Sequence, residues 1–213
     1  MEMTHTPIPK EEIELFRQLK DLKVIFDVGA RTDVDYLEIW PESQHYLFEP
    51  NPEFFKELQE KIEGKTNVHA LNYGLGDRNG EMGYQNGLQS FVDSWITNNP
   101  KVEGNVVVTT KTLDTYIHEN GIEQIDFLKI DTEGYEIKVL LGTTGWFHII
   151  KFIQYEHWGK YNNLMIKGLL SEDFDTYDVG YRNVFCMNKN LVSEEERNGL
   201  STYITEHKLA ELV

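Results

Sequence analysis

Apolar runs of strand length alternate with helical repeats along this chain, and that alternation restricts the fold more than any other feature of the sequence. EEIELFRQLKDL (11–22) reads as a helix with Ile13, Phe16, Leu19 and Leu22 on one face, and the run KVIFDVG (23–29) that follows reads as a buried parallel strand. HYLFEP (45–50) is a second strand. It leads into NPEFFKELQEKIEG (51–64), a helix with Pro52 in its first turn, Phe55, Leu58 and Ile62 facing inward, and Gly64 as its stop. A third strand lies in NVHALNYGLG (67–76), and GEMGYQN (80–86) adds a short one. IDFLKID (125–131) and KFIQYEH (151–157) are two further strands with the helix YEIKVLLGT between them, and FDTYDVG with NVFCMNK forms a closing hairpin. These elements predict an α/β fold: an open, mostly parallel sheet with helices on both faces.

Two stretches fit the alternation less well. Residues 86–105, NGLQSFVDSWITNNPKVEGN, read as a loop near the carboxyl edge of the sheet, of the kind that forms lids. The tail SEEERNGLSTYITEHKLAELV reads as a charged, partly helical surface element. No Pro/Gly/Ser-rich linker divides the 213 residues, so one domain over 1–213 is expected.

Charge removes several functional classes. With 20 basic against 36 acidic residues the net charge is −16, which repels nucleic acid and anionic membrane over most of the surface. No apolar stretch approaches the roughly 20 residues that span a bilayer, and the N-terminus lacks the regions of a secretion signal. A cytoplasmic protein without nucleic-acid or membrane partners is therefore expected. The single cysteine, Cys186, lies in an apolar run and reads as a buried small hydrophobe.

In an open parallel sheet a ligand sits beyond the carboxyl ends of the strands. The residues there are Asp27 and Gly29, Glu49, Gly76 and Asp77, Asp131 and Glu133, and Glu156 with His157. Any one acid could simply cap a turn, but acids recur at the ends of these strands. Glu49 is the most informative, since an acid about 20 residues past the glycine loop is where dinucleotide and adenosyl cofactors place a ribose diol. One glycine does not by itself separate nicotinamide, flavin and adenosylmethionine cofactors.

The motifs FDVGA, FEPNPEFFKEL, NYGLGDRNGEMGY, KTLDTYI, IDFLKIDTEGYEIKVLLG and FIQYEH, in this order and spacing, resemble the FkbM family of S-adenosylmethionine-dependent methyltransferases. The resemblance spans residues 22–188, leaving 1–21 as an N-terminal helix and 189–213 as a C-terminal helical tail. It implies the Rossmann-like class I methyltransferase fold, a seven-stranded sheet with its last strand antiparallel, and O-methylation of a hydroxyl on a saccharide, glycolipid or small metabolite. Carried over by position, Asp27, Gly29 and Ala30 match the first cofactor loop, Glu49 the ribose-binding acid, Gly76 and Asp77 the segment beside the adenine, and Asp131 the acid near the methionine end.

The chain departs from the family pattern DVGANxGxY, because Arg31 replaces the asparagine and Asp33 the second glycine. If that second position needs positive φ, Asp33 tolerates it at a steric cost. Arg31 has two readings: it holds the methionine carboxylate of the cofactor, or it pairs with Asp33 or Asp35 at the surface. A binding or scaffold protein with a degraded cofactor loop is the alternative to an active enzyme. For catalysis, a base should take the acceptor's hydroxyl proton, and Asp131, His157 and Glu156 are the candidates, the first two ranked ahead. His157 could equally be a histidine satisfied in its turn. No metal site is expected. Phe91, Trp95, Trp158 and Tyr161 are candidates to face the acceptor, or to be core.

Overall fold

The computed structural model describes residues 8–85, 95–97 and 105–211. Its main sheet has seven strands: β1 (Val24–Val28), β2 (Gln44–Phe48), β3 (Val68–Leu71), β8 (Ile125–Ile130), β9 (Ile150–Glu156), β10 (Phe174–Gly180) and β11 (Asn183–Asn188). They lie in the order β10-β11-β9-β8-β1-β2-β3. All neighbours pair in parallel except β11, which runs antiparallel to both β9 and β10. This is the sheet the alternation predicts, with its last strand reversed and inserted.

Period-two alternation sends neighbouring residues to opposite faces, each of which is covered. Phe26, Leu128 and Ile153 face a cluster with Tyr116, Leu140 and Ile166, whereas Ile25, Phe127 and Phe152 face one with Phe16, Tyr36, Trp40 and Phe185. Helix α3 (Pro52–Lys61) starts at Asn51, whose side chain accepts from Glu53 N at 2.8 Å, and Pro52 fills the first turn. Helix α4 (Leu113–Asn120) is capped by Thr112 and stopped by Gly121 at φ +61°. Helices α5 (Glu136–Leu141) and α6 (Lys160–Leu170) flank β9 in sequence. Cys186 is buried, as expected.

The structure departs from the sequence reading at four places. Helix α1 (Lys10–Phe16) is shorter than 11–22, and its buried face holds Glu12, Leu15 and Phe16 while Ile13 is partly exposed. Phe16, Leu19 and Leu22 are buried as the period predicts, and the departure is Glu12, an acid that does not read as a core residue. The tail is a charged surface helix as expected, but one with an anchoring face: α7 (Glu194–Glu206) buries Leu200 and Ile204, and Leu209 after it, in the cluster with Leu15 and Phe16. Short helix α2 (Tyr36–Ile39) lies in a stretch without helical periodicity. The expected 86–105 loop contains β6 (Trp95–Thr97), and the rest of it up to Gly104 lies outside the described residues. β6 belongs to a second sheet with β4 (Gly74–Leu75), β5 (Gly80–Gln85) and β7 (Asn105–Lys111), ordered β4-β7-β5-β6. Of that sheet the sequence foretold β5, whereas the third apolar run, read as one strand, divides into β3 of the main sheet and β4 of this one.

Candidate active site

The site grows from the turn after β1. Gly29 has φ +87°, and a Cβ there would lie 1.9 Å from the Asp131 carbonyl oxygen. Only glycine lets the end of β1 press against the end of β8 in this way. Gly29 N and Ala30 N both donate to Phe48 O, at 3.0 and 3.2 Å, and Asp33 N donates to Ala30 O at 2.8 Å. The residue that takes the left-handed conformation in this turn is Arg31, at φ +53°, and Asp33 is not among the residues with positive φ. The steric cost foreseen for Asp33 therefore falls on Arg31. Its guanidinium lies over the Phe54 ring, 5.0 Å from the centroid.

Glu49, at the end of β2, fixes that turn from the side. Its Oε2 accepts from Arg31 N at 2.8 Å and its Oε1 from Asn51 N at 2.7 Å. Burial pushes its carboxyl up to about 7, against the pull of these two backbone donors. Each oxygen keeps a further lone pair, so the group can still accept from two hydroxyls. Asp27 is 1% exposed and pairs with Lys129 Nζ at 3.1 Å, and burial raises its carboxyl above the ordinary range. Gly76 donates to Lys111 O at 2.9 Å and packs under Tyr135, whose Cε1 would lie 3.0 Å from a Cβ. Asp77 is held by Lys138 at 2.8 Å, which keeps its carboxyl below the usual value.

Beyond the ends of β8 and β9 lies a cavity of about 890 Å³. Asp131, Glu133, Gln154, Glu156 and Trp158 line it, with Glu12, Asp33, Asp35 and Tyr36 on one wall and Tyr181, Arg182 and Asn183 on another. Glu156 lies beside Asp131 and 2.7 Å from Arg182. Burial and the Asp131 charge push its carboxyl to about 8 despite the guanidinium. Glu133, at φ +57°, is pushed to about 7 by burial and the charges of Asp131 and Glu136.

The structure thus brings Asp131 and Glu156 together and leaves His157 apart. Gln154 and Glu156 share the cavity side of β9, and the next residue falls on the other side. His157 has Asp178 and Lys167 for charged neighbours, burial lowers its pKa, and its backbone N donates to Arg182 O at 2.9 Å. Ranking it ahead of Glu156 ignored this alternation. Asp27, Gly29, Glu49, Gly76 and Asp77 are not part of the cavity lining; Asp27 is within β1, and the others follow the ends of β1, β2 and β4. Trp158 lines the cavity beneath Arg182, whose guanidinium is 4.1 Å from its ring centroid, whereas Tyr161 is 85% exposed. Trp95 is in β6, and Phe91 lies outside the described residues.

Four residues of the site were missed. Lys129 had a signal, a charge inside the apolar run of a central strand, and Nζ lies 3.5 Å from Asp131 as well. Glu136 is fully buried, and its Oε1 accepts from Thr132 N and Gly134 N, which shapes the loop after β8. Arg182 sits in the hairpin turn at φ +63°. Glu12 gave no signal at all.

The comparisons with known proteins agree with this geometry. The chain is 25% identical over 159 residues to hexuronic acid methyltransferase AglP of Haloferax volcanii, covering 74% of this chain and 65% of that protein. It is 26% identical over 163 residues to 2-O-methyltransferase NoeI of Sinorhizobium fredii, covering 63% of this chain and 65% of that protein. The chain therefore spans 65% of the length of both curated relatives. Among solved structures, a methyltransferase FkbM from Methylobacillus flagellatus superposes with a TM-score of 0.56 at 13% identity, covering 81% of this chain and 47% of that one. A putative methyltransferase from Streptococcus mutans in complex with SAH gives 0.51 at 11% identity, covering 87% and 99%. These two share the fold. The model of the methyltransferase FkbM domain matches residues 27–175, and the chain belongs to that family.

Proposed function

We propose that this chain is an S-adenosylmethionine-dependent O-methyltransferase acting on a hydroxyl of a saccharide or small metabolite in the cytoplasm. The observation that carries the reading is the contact of Gly29 with the Asp131 carbonyl, which joins the cofactor-type turn of β1 to the acids that end β8 and β9. The relatives named for methylation of hexuronic acid and of a 2-O position supply the acceptor class.

The residues fit the cofactor. The turn at Gly29 has no side chain to obstruct a ligand, and Glu49 offers two oriented acceptors suited to a ribose diol. Asp27, Ala30 and Arg31 complete the turn, and Gly76 and Asp77 follow the end of β4, where the family pattern has the segment beside the adenine. When bound, S-adenosylmethionine supplies a methyl group already activated on a sulfonium.

The chain's own part is to orient the acceptor and take its proton. Glu156 stands at the end of β9 with Asp131 beside it at the end of β8, and once its proton has left it can accept the acceptor's hydroxyl proton. A carboxylate raised to about 8 is also a stronger base than an ordinary one. The Trp158 ring offers an apolar face for a sugar.

The test is incubation with methyl-labelled S-adenosylmethionine and a panel of mono- and oligosaccharides, followed by linkage analysis of the product. A methyl ether on a sugar hydroxyl is expected. Label only on nitrogen, or none on any acceptor while the protein binds S-adenosylhomocysteine, contradicts the reading and favours a scaffold that kept the fold.

A further inference from the structure

Seven acids and three cations line the cavity beside Asp131 and Glu156. Two of the three cations are already engaged. Lys129 lies between Asp27 and Asp131 at 3.1 and 3.5 Å, and Arg182 is 2.7 Å from Glu156 while covering Trp158. The third, Lys10, is at the exposed start of α1. The bound cofactor, with a sulfonium, an ammonium and a carboxylate, adds one net positive charge, so with the acids ionised the formal charge of the lining stays negative.

Glu12 is the acid least expected here. It is 1% exposed, and its oxygens accept from Asn183 Nδ2 at 2.6 Å and Gln154 Nε2 at 2.7 Å. Two neutral amides hold the carboxyl in place without neutralising it, so above about pH 7, where it is ionised, its charge acts on whatever enters. Burial pushes it to about 7. Tyr36, which also lines the cavity, donates to Gln154 Oε1 at 3.3 Å and extends the same rigid wall.

Resting on the methyltransferase reading above, we infer that the acceptor is a sugar without acidic groups, neutral or amine-bearing, and that Glu12 is a residue that sets this preference. A uronic acid or sugar phosphate would bring a further negative charge beside several others, and like-charge juxtaposition is strongly unfavourable in a partly desolvated site. The reading therefore separates this chain from its relative named for hexuronic acid, whose acceptor carries a carboxylate.

The test titrates the full chain, with and without S-adenosylhomocysteine, with methyl glucoside, methyl glucosaminide and methyl glucuronide, reading binding by saturation-transfer NMR. The glucoside and glucosaminide should bind at least about tenfold more tightly than the glucuronide, and Glu12→Gln should narrow that gap by about threefold or more. Equal or tighter binding of the glucuronide, or binding of none of the three, overturns the charge preference. A gap unchanged in folded Glu12→Gln overturns the role of Glu12, and the wild-type comparison stands if that variant does not fold. Calorimetry with S-adenosylhomocysteine on the same samples separates the two layers: failed sugar selectivity with intact cofactor binding defeats this inference alone, whereas absent cofactor binding defeats the methyltransferase reading.

Discussion

Lys129 Nζ lies 3.1 Å from Asp27 Oδ1, joining a cation and an anion whose side chains are 12% and 1% exposed at the centre of the parallel sheet. Burial alone would lower the lysine's pKa, but the charges of Asp27 and Asp131 hold it well above the ordinary value. Removing the ammonium leaves a buried carboxylate without its counter-charge. Lys129→Met should therefore cost about 3–5 kcal/mol of stability in denaturant melts. Adding Asp27→Asn should recover part of that loss. A single variant as stable as the wild type would show that the pair is not what holds β1 to β8.

Stability should also fall as the pH rises from about 5.5 to 7.5. Glu12, Glu49 and Glu133 titrate near 7 in the folded chain and Glu156 near 8, against 4.5 for a free side chain. Between those values the folded state binds more protons than the unfolded one, so raising the pH favours unfolding. His45 and His157, with lowered values, act in the opposite sense below 6.5. The acids outnumber them, and the melting temperature should drop by at least about 3 °C, the shift that ~1 kcal/mol gives a domain of this size. A melting temperature that rises over that interval at constant ionic strength would contradict the buried-acid account.

The turn after β1 predicts a contrast between two substitutions. Arg31 carries the left-handed φ of +53°, so Arg31→Gly should relieve about 1 kcal/mol of backbone strain, set against the loss of its contact with Phe54. Asp33→Gly relieves no such strain and should not stabilise the fold. Comparing the two melts checks this. A larger gain from Asp33→Gly would put the strained position where the family pattern, rather than the structure, has it.

The legible part of this protein was the part written in hydrophobic period. The five parallel strands, the helix after Asn51 and the closing hairpin follow from apolar spacing and capping residues, and the acids at the strand ends follow from where a parallel sheet binds. What escaped was set by tertiary pairing. Glu12 is core because Gln154 and Asn183, far along the chain, meet its oxygens. Lys129 is tolerated because two acids from different strands face it. The strained residue of the glycine turn depends on where the chain reverses, which a motif alignment does not show. The separation of His157 from Glu156 was legible in principle, since strand alternation parts neighbouring residues.

If Glu156 and Asp131 take the acceptor's proton, Glu156→Gln and Asp131→Asn should each lower kcat by about 10²–10⁴-fold while leaving cofactor affinity nearly unchanged. In the wild type, kcat should climb with pH through about 8, because the base works only once its proton has left. His157→Ala should stay close to wild type. Full loss of activity in His157→Ala with full activity in Glu156→Gln would reverse the assignment.

The central claim is that the turn at Gly29 and the acid at Glu49 hold an adenosyl cofactor, and calorimetric titration with S-adenosylhomocysteine tests it most directly. The wild type should bind one equivalent saturably, and Glu49→Gln, which keeps the side chain's shape but loses its charge, should weaken binding by about 1.5–3 kcal/mol. No heat at millimolar ligand in the wild type, or an unchanged dissociation constant in a folded Glu49→Gln variant, would contradict it.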